Sequence, residues 1–297
     1  VDASAIGRPY LEVVRDPDVA AQLSAALQGA TPESRELSLL RDPGRTFVAR
    51  ATPVSATGGA GAVLVLHDVS DLRQADQVRR DFMANVSHEL RTPLTVIRGY
   101  VEALQDDPGS TGAPQFLDTI ARQSLRMERL VADLLRLARM DAHQEPLEPG
   151  PCDLQTLALA IVTDLAAASQ AKRQQVTVEI DGPARLIEAD QAKLHDVLRN
   201  LVENAINYTP EGGTVRLTAR RDAGGITISV EDSGPGLPPG DLVRVFERFY
   251  RVDKSRSRPG TGLGLAIVKH LVGLHGGSVR AENRAEGGAR FVVTLPA

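Results

Sequence analysis

Between Phe82 and Leu104 the apolar residues keep one spacing. Phe82, Val86, Leu90, Leu94, Ile97, Val101 and Leu104 recur every three or four positions, as in a helix buried along one seam. His88 lies two residues from both Val86 and Leu90, which at about 100° per residue turns it roughly 200° from that seam. The helix thus offers His88 to an incoming partner, with Glu89 beside it and Thr92 one turn later on the same face. Pro93 has no N–H for the carbonyl of Glu89, so a bend is expected just past the histidine. A turn at Asp106-Asp107-Pro108-Gly109-Ser110-Thr111-Gly112 leads into a second stripe of Phe116, Ile120, Met127, Leu130, Leu134 and Leu137. Two amphipathic helices cannot bury stripes this wide by themselves. Pairing two such hairpins into a four-helix bundle closes the core, so a homodimer is expected.

The rest of the chain divides around this hairpin. Its 297 residues allow two or three domains with adequate cores. Residues 1–70 combine a helical segment, Asp18–Gln28, with strand-like runs at Glu36–Leu40, Thr46–Pro53 and Ala62–Leu66, and a turn at Gly58-Gly59-Ala60-Gly61. Ser70 or Asp71 can cap the helix that follows. Residues 71–145 form the hairpin, and Glu145-Pro146-Leu147-Glu148-Pro149-Gly150-Pro151 is a helix-breaking linker. Across 152–297, helical segments (Leu154–Lys172, Gln191–Tyr208, Leu263–Leu274) mix with strands at Val176–Ile180, Thr214–Arg221, Ile226–Glu231, Ser278–Glu282 and Arg290–Leu295. That segregation suggests an α/β sandwich, one sheet with helices on a single face.

Composition removes several classes of function. Aromatic residues make up 3% of the chain, Trp is absent, and the net charge is −4, which disfavours both base stacking and phosphate-backbone binding; no nucleic-acid partner is expected. The single cysteine, Cys152, excludes an internal disulfide framework and a multi-Cys zinc site. The most apolar window, Leu157–Ala168, is too short for a membrane span and is interrupted by Thr163 and Asp164. The chain starts at Val1 with no signal peptide, so it is read as the cytoplasmic portion of something longer, with any inner-membrane anchor outside it. His67, His143, His195, His270 and His275 share no spacing and read as structural or surface residues.

Four signals in the third region carry chemistry. Asn200 and Asn204 sit one turn apart on the helix Asn200-Leu201-Val202-Glu203-Asn204-Ala205-Ile206-Asn207-Tyr208. Amide carbonyls are hard oxygen ligands suited to Mg²⁺ that keeps waters and phosphate oxygens as its other partners. Asp232-Ser233-Gly234-Pro235-Gly236 follows a strand; its carboxylate can accept a hydrogen bond from an exocyclic amine such as that of adenine, and Gly234 and Gly236 let backbone approach a flat ring. A simple turn explains these glycines equally well. In Phe246-Glu247-Arg248-Phe249-Tyr250-Arg251 the rings can anchor a loop and Arg248 or Arg251 can meet phosphate. Gly260-Thr261-Gly262-Leu263-Gly264-Leu265 opens a helix whose N–H groups and dipole make an anion site; no Gly-Lys-Ser/Thr follows, so it is not a Walker loop. Val252–Pro259, polar and rich in Ser and Arg, reads as a mobile lid.

Ser87 to Leu94 reads S-H-E-L-R-T-P-L, and it resembles the phosphoacceptor box of sensor histidine kinases at every position. The four later signals, in this order and spacing, resemble the N, G1, F and G2 boxes of the Bergerat ATP-binding domain shared by histidine kinases, gyrase, Hsp90-type ATPases and MutL. His67-Asp68-Val69-Ser70-Asp71-Leu72 resembles the junction between a PAS sensor domain and a following helix, which makes residues 1–70 a partial PAS segment. With Arg98-Gly99-Tyr100, the likeness is to phosphate-regulon sensor kinases. The resemblance implies a protein-histidine kinase whose His88 takes the γ-phosphate of Mg-ATP and passes it to an aspartate of a response-regulator receiver domain. Glu89 would accept or orient the proton of the ring, and Thr92 would position water for dephosphorylating the regulator. It further implies that Asn200 and Asn204 hold Mg²⁺ and phosphates, that Asp232 reads adenine, and that Gly234, Gly236, Gly262 and Gly264 line the pocket, with Tyr208, Phe249, Gly260, Thr261 and Leu263 in the same boxes. One position departs: many relatives carry Lys where this chain has Asn207, so that phosphate contact is lost or is supplied by Arg251 or Lys254. Two rival readings are a nucleotide-binding signalling scaffold and an ATPase of the gyrase or Hsp90 kind. The latter carry Glu at the position of Asn200.

Overall fold

Asp16 starts the first element. Its carboxylate accepts the N–H groups of Asp18 at 3.0 Å and Val19 at 3.2 Å, capping helix α1 (Pro17–Leu27), with Pro17 in the first turn where a missing N–H costs nothing. The computed structural model describes residues 6–9, 12, 16–38, 44–56, 59–107, 111–141, 146–222, 224–252 and 261–296, which form two units, Val1–Ala84 and Asn85–Ala297. In the first unit, α1 lays Val19 and Leu23 on an antiparallel sheet of β1 (Arg35–Leu37), β2 (Phe47–Ala56) and β3 (Gly59–Asp68), where Leu37, Phe47, Ala49, Leu64 and Leu66 meet it. The turn expected at Gly58–Gly61 is narrower: Gly59 pairs with Ala56 and Gly61 with Val54, so the ladder continues through the glycines. Gly58, like the expected strand end at Leu40, lies outside the described residues.

Helix α2 (Ser70–Asp106) begins where Asp68 accepts the N–H of Ser70 at 2.9 Å and its hydroxyl at 2.6 Å. The expected cap at Ser70 or Asp71 is thus provided from Asp68, and the Ser70 hydroxyl and N–H hold that carboxyl below its ordinary pKa. Arg73, one turn on, pairs with Glu36 of β1. The helix runs uninterrupted through Pro93.

The second unit holds the remainder of α2, the helix α3 (Ala113–Asp141) and an α/β layer. The hairpin turn's Pro108, Gly109 and Ser110 lie outside the described residues. The Tyr100 and Phe116 rings meet across the hairpin, tilted at 39° with centroids 5.1 Å apart, and Leu130, Leu137 and Met140 are buried. The second stripe is buried or half-buried throughout, whereas in the first Leu94 is 56% and Val101 37% exposed; outside both stripes Leu117, Leu125, Val131 and Leu135 are exposed as well.

Gly150–Asp153 is a strand (β4) pairing with β6 (Leu186–Ala189), so the last two residues of the expected linker, Gly150 and Pro151, are in a strand; the edge position tolerates Pro151. The expected helix Leu154–Lys172 is two, α4 (Leu154–Asp164) and α5 (Ala166–Ala171), broken at Leu165 just after Thr163 and Asp164, which favour helix weakly. The main sheet has the order β5 (Gln175–Ile180), β7 (Thr214–Asp222), β8 (Gly225–Asp232), β10 (Ala289–Leu295), β9 (Ser278–Asn283), and only β5–β7 is parallel. Helix α6 (Gln191–Tyr208), capped by Asp190, and α7 (Gly264–Leu274) bring Leu194, Leu198, Leu201, Ile267 and Leu271 into one core with Leu217, Ile228 and Val293. His275 is structural: its Nε2 accepts the N–H of Asp190 at 3.2 Å.

Candidate functional site

His88 is exposed on α2, on the side the periodicity assigns it. The Thr92 hydroxyl donates to the His88 carbonyl at 3.1 Å, a back-bond common for Thr within a helix. Glu89 is turned to the other helix of the hairpin, where Arg126 Nη2 donates to its carboxylate at 3.0 Å. Both side chains are about 30% exposed, so this pair is only partly screened by solvent.

The asparagines meet the glycine-rich stretch through α6 and α7. Asn200 Nδ2 donates to the Asp196 carbonyl at 2.8 Å, which leaves Oδ1 directed at the start of α7. There a Cβ on Gly264 would come within 2.6 Å of Asn200 Oδ1, so any larger residue would have to push that amide aside. Helix α7 begins at Gly264 with no side-chain cap, and its first N–H groups are available to an anion. Asn204 and Asn207 are half-buried on the same helix, and the Asn204 amide has no hydrogen bond among the described residues. The C-terminus of α6 is closed from α5 and the turn after it. Lys172 Nζ donates to the Ile206 and Asn207 carbonyls at 2.8 and 2.9 Å, and Gln174 Nε2 to those of Ile206 and Thr209 at 3.0 and 2.8 Å. Tyr208 presents its carbonyl to Gly234, where a Cβ would lie 3.0 Å away.

Asp232 is the last residue of β8, not the first after it, and is 3% exposed. Its Oδ1 accepts the N–H of Gly234 at 2.8 Å and of Ala289 at 3.2 Å, while Oδ2 accepts nothing among the described residues. Burial pushes this carboxyl above the usual carboxylate range, opposed by those two N–H groups and the nearby Arg284 guanidinium. Gly236 has φ +75°, a left-handed conformation.

Phe249 and Gly262 come together although 13 positions separate them in the chain: the Phe249 N–H donates to the Gly262 carbonyl at 2.8 Å, and a Cβ on Gly262 would lie 2.8 Å from Phe249 backbone. Phe249 itself has φ +61°, unusual for a bulky residue. Leu263 is fully buried, and Arg251 is half-buried near the same segment. Lys254, Gly260 and all of the expected lid Val252–Pro259 except Val252, which is exposed, lie outside the described residues.

Several residues of this neighbourhood escaped the sequence reading. Asp133 of α3 accepts the Thr261 hydroxyl at 3.2 Å, and burial raises its carboxyl, opposed by Thr261 and Arg136. Arg136 pairs with Asp196 at 2.6 Å. Asn283 contacts Leu237 in the segment after Asp232 from 46 residues away, and Arg284 contacts the Asp232 carbonyl from 52. No local pattern marks such partners. Among the described residues no cluster of His, Cys, Asp or Glu could hold a metal by itself.

Comparison with known proteins bears on both regions. The His Kinase A (phospho-acceptor) domain family matches residues 78–143, and the histidine kinase-, DNA gyrase B-, and HSP90-like ATPase family matches residues 189–297. The sensor histidine kinase WalK of Bacillus subtilis is 40% identical over 242 residues, covering 80% of this chain and 39% of that protein. The phosphate regulon sensor protein PhoR of Pseudomonas aeruginosa is 40% identical over 227 residues, covering 75% of this chain and 51% of that protein. The chain therefore spans about half the length, or less, of these relatives. The solved structure of histidine kinase ThkA in complex with response regulator protein TrrA shares the fold at a TM-score of 0.61 and 21% identity, covering 99% of this chain and 87% of that chain.

Proposed function

The chain belongs to the sensor histidine kinases, and we propose that it phosphorylates its own His88 from Mg-ATP and passes the phosphoryl group to an aspartate of a response-regulator receiver domain. One observation carries the reading: the uncapped start of α7 and the Asn200 amide oxygen face one another with only Gly264 between them. An anionic ligand placed there meets N–H groups and an amide oxygen with no side chain in the way.

In this reading Asp232 accepts the exocyclic amine of adenine through Oδ2. Asn200 and Asn204 fit a divalent ion that takes its other ligands from phosphate oxygens and water, since two amide oxygens one turn apart make a partial shell. Such an ion, when bound, offsets the charge of the phosphates. Gly262 and Gly264 keep the anion site clear, and Arg251 or Lys254 takes the place of the charge that Asn207 lacks. The lone pair of a neutral His88 ring nitrogen attacks the γ-phosphorus. The bond from that phosphorus to its bridging oxygen breaks, and ADP leaves with the electron pair. Glu89 holds the proton of the other ring nitrogen, a role that requires its pair with Arg126 to open. Thr92 positions water against the phospho-aspartate of the regulator, making the protein bifunctional.

The same reading makes the protein a homodimer. The exposed Leu94, Leu117, Leu125 and Leu135 support a second hairpin as the cover for the open face of the first. Among the described residues no helix is long and apolar enough to cross a membrane. In this reading the chain is the cytoplasmic portion of a membrane-anchored sensor, with residues 1–70 in its sensor region.

Incubation with γ-³²P-labelled ATP and Mg²⁺ tests the proposal. Label that is acid-labile, base-stable and absent from His88→Gln is expected; label that survives the substitution would overturn the assignment. In the same assay Thr92→Ala should still phosphorylate while failing to dephosphorylate a regulator, and equal loss of both activities would remove Thr92 from its role.

A further inference from the structure

Asp232 is fixed by its strand, but the segment that follows it is fixed from elsewhere. The side-chain amide of Asn283, the last residue of β9, grips Leu237 at both backbone groups: Oδ1 accepts the Leu237 N–H at 2.8 Å and Nδ2 donates to the Leu237 carbonyl at 2.7 Å. A side chain here does what a neighbouring strand would do, supplying one donor and one acceptor in register. The fit is close, because a Cβ on Gly236 would lie 2.9 Å from Asn283 Oδ1. Next to Asn283, Arg284 Nη1 donates to the Asp232 carbonyl at 3.0 Å, and Gly288 passes so near that a Cβ there would meet the Asp232 carbonyl oxygen at 1.9 Å. The β9–β10 turn thus closes over the end of β8.

The consequence for Asp232 runs through Gly234. The Asp232 carboxylate is oriented by the N–H groups of Gly234 and Ala289, both on Oδ1. Ala289 belongs to the sheet, whereas Gly234 belongs to the segment whose far end Asn283 holds. Released at Leu237, that segment gains backbone freedom at Gly234 and Gly236, the residues with the most to gain. The Gly234 N–H then no longer confines the carboxylate to one rotamer.

We infer that Asn283 is a positioning residue that sets base selectivity, by pinning Gly234–Leu237 so that Asp232 presents a single free oxygen to the adenine amine. The inference rests on the reading of Asp232 as the group that meets the base. A carboxylate held in one direction accepts from the amine of adenine and repels the carbonyl oxygen that guanine carries in its place. A carboxylate that can turn away loses both effects.

Dissociation constants for ATP and GTP, measured by calorimetry with Mg²⁺ on the whole chain, test this in wild type, Asn283→Ala, Asn283→Asp and Asp232→Asn. Losing both bonds in Asn283→Ala is expected to weaken ATP about fivefold to tenfold while GTP moves less than about twofold, so the ATP:GTP ratio collapses. Asn283→Asp keeps the acceptor for Leu237 N–H and is expected to recover part of the ratio. A purely structural role would weaken both nucleotides together and leave their ratio unchanged, which would overturn the inference. So would an unchanged ratio in Asn283→Ala beside a collapsed one in Asp232→Asn. If Asp232→Asn itself leaves the ratio intact, it is the reading of Asp232 that fails. Should Asn283→Ala melt before nucleotide is added, Asn283→Asp alone decides: a ratio equal to that of wild type, despite loss of its donor, overturns the inference.

Discussion

The hairpin and the five-stranded domain carry their chemistry in opposite ways. His88 is exposed, on a regular helix, and its neighbours Glu89 and Thr92 are adjacent in sequence. Asp232 is nearly inaccessible and held by Ala289, 57 residues on, while Asn200 meets Gly264 across a helix–helix contact. A group displayed on a scaffold can be exchanged without disturbing it. A group built into the end of a core is coupled to the packing around it, so damage to the two regions should register in different measurements.

Gly264→Ala should sharpen that contrast most. Gly264 needs no left-handed backbone, and at the first position of α7 alanine gains less than the about 1 kcal/mol of a helix interior, so the melting temperature should hold. Its Cβ, however, arrives 2.6 Å from Asn200 Oδ1 and must push that amide aside. Mg-ATP affinity should fall at least about tenfold, the scale of one lost charge-assisted contact. His88→Gln should change neither affinity nor melting temperature. Calorimetry beside thermal melts checks both; an unaffected affinity in Gly264→Ala would mean that the α6–α7 junction is not where phosphates bind.

How much could be read in advance follows the same division. The hairpin and helix Gln191–Tyr208 were legible because a 3.6-residue period is a local property of the chain. The glycines at 234, 236, 262 and 264 were legible as positions needing close approach, but not what approaches them. That Gly264 faces Asn200, or that Phe249 takes a positive φ to meet Gly262, depends on tertiary pairing. Gly150-Pro151 announced a break because proline and glycine disfavour regular structure, yet a two-strand edge accepts both. Asp133 and Asn283 belong to other helices and strands than the residues they hold, and single polar residues have no period to betray them.

Asp190 tests whether the packed domain depends on charge as well as shape. Its carboxylate caps α6 through the Lys193 N–H at 3.1 Å, meets Lys193 Nζ at 2.7 Å and accepts the Glu148 N–H at 3.0 Å. Burial by itself would raise its pKa, but these donors outweigh it and bring the value from 3.8 down to about 2. A pKa depressed in the folded state contributes stability that is complete above the unfolded value and disappears as pH falls through the folded one. Asp190→Asn should therefore cost about 2 kcal/mol at pH 6, and the gap to wild type should narrow between pH 4 and pH 2. Urea unfolding across that range measures it, and a gap independent of pH would assign the cost to shape instead of charge.

The smallest effect is expected back in the hairpin, at Arg126. Its bond to Glu89 is the counterpart of the Asn283–Leu237 clamp, a side chain reaching across from a distant element, 37 residues away. The difference lies in what each holds. Asn283 fixes backbone that has glycine freedom, whereas Arg126 meets a carboxylate on a helix whose backbone is already fixed by its own hydrogen bonds. With both side chains partly exposed, Arg126→Ala should lower stability by only about 0.5 kcal/mol. Phosphorylation at His88 should rise by no more than about twofold, since the pair that must open to free Glu89 contributes only about that 0.5 kcal/mol. A melt and an initial-rate assay decide the matter. A rate change of tenfold or more would show that the pair governs the reactivity of His88, and the hairpin would then depend on a distant partner just as the nucleotide domain does.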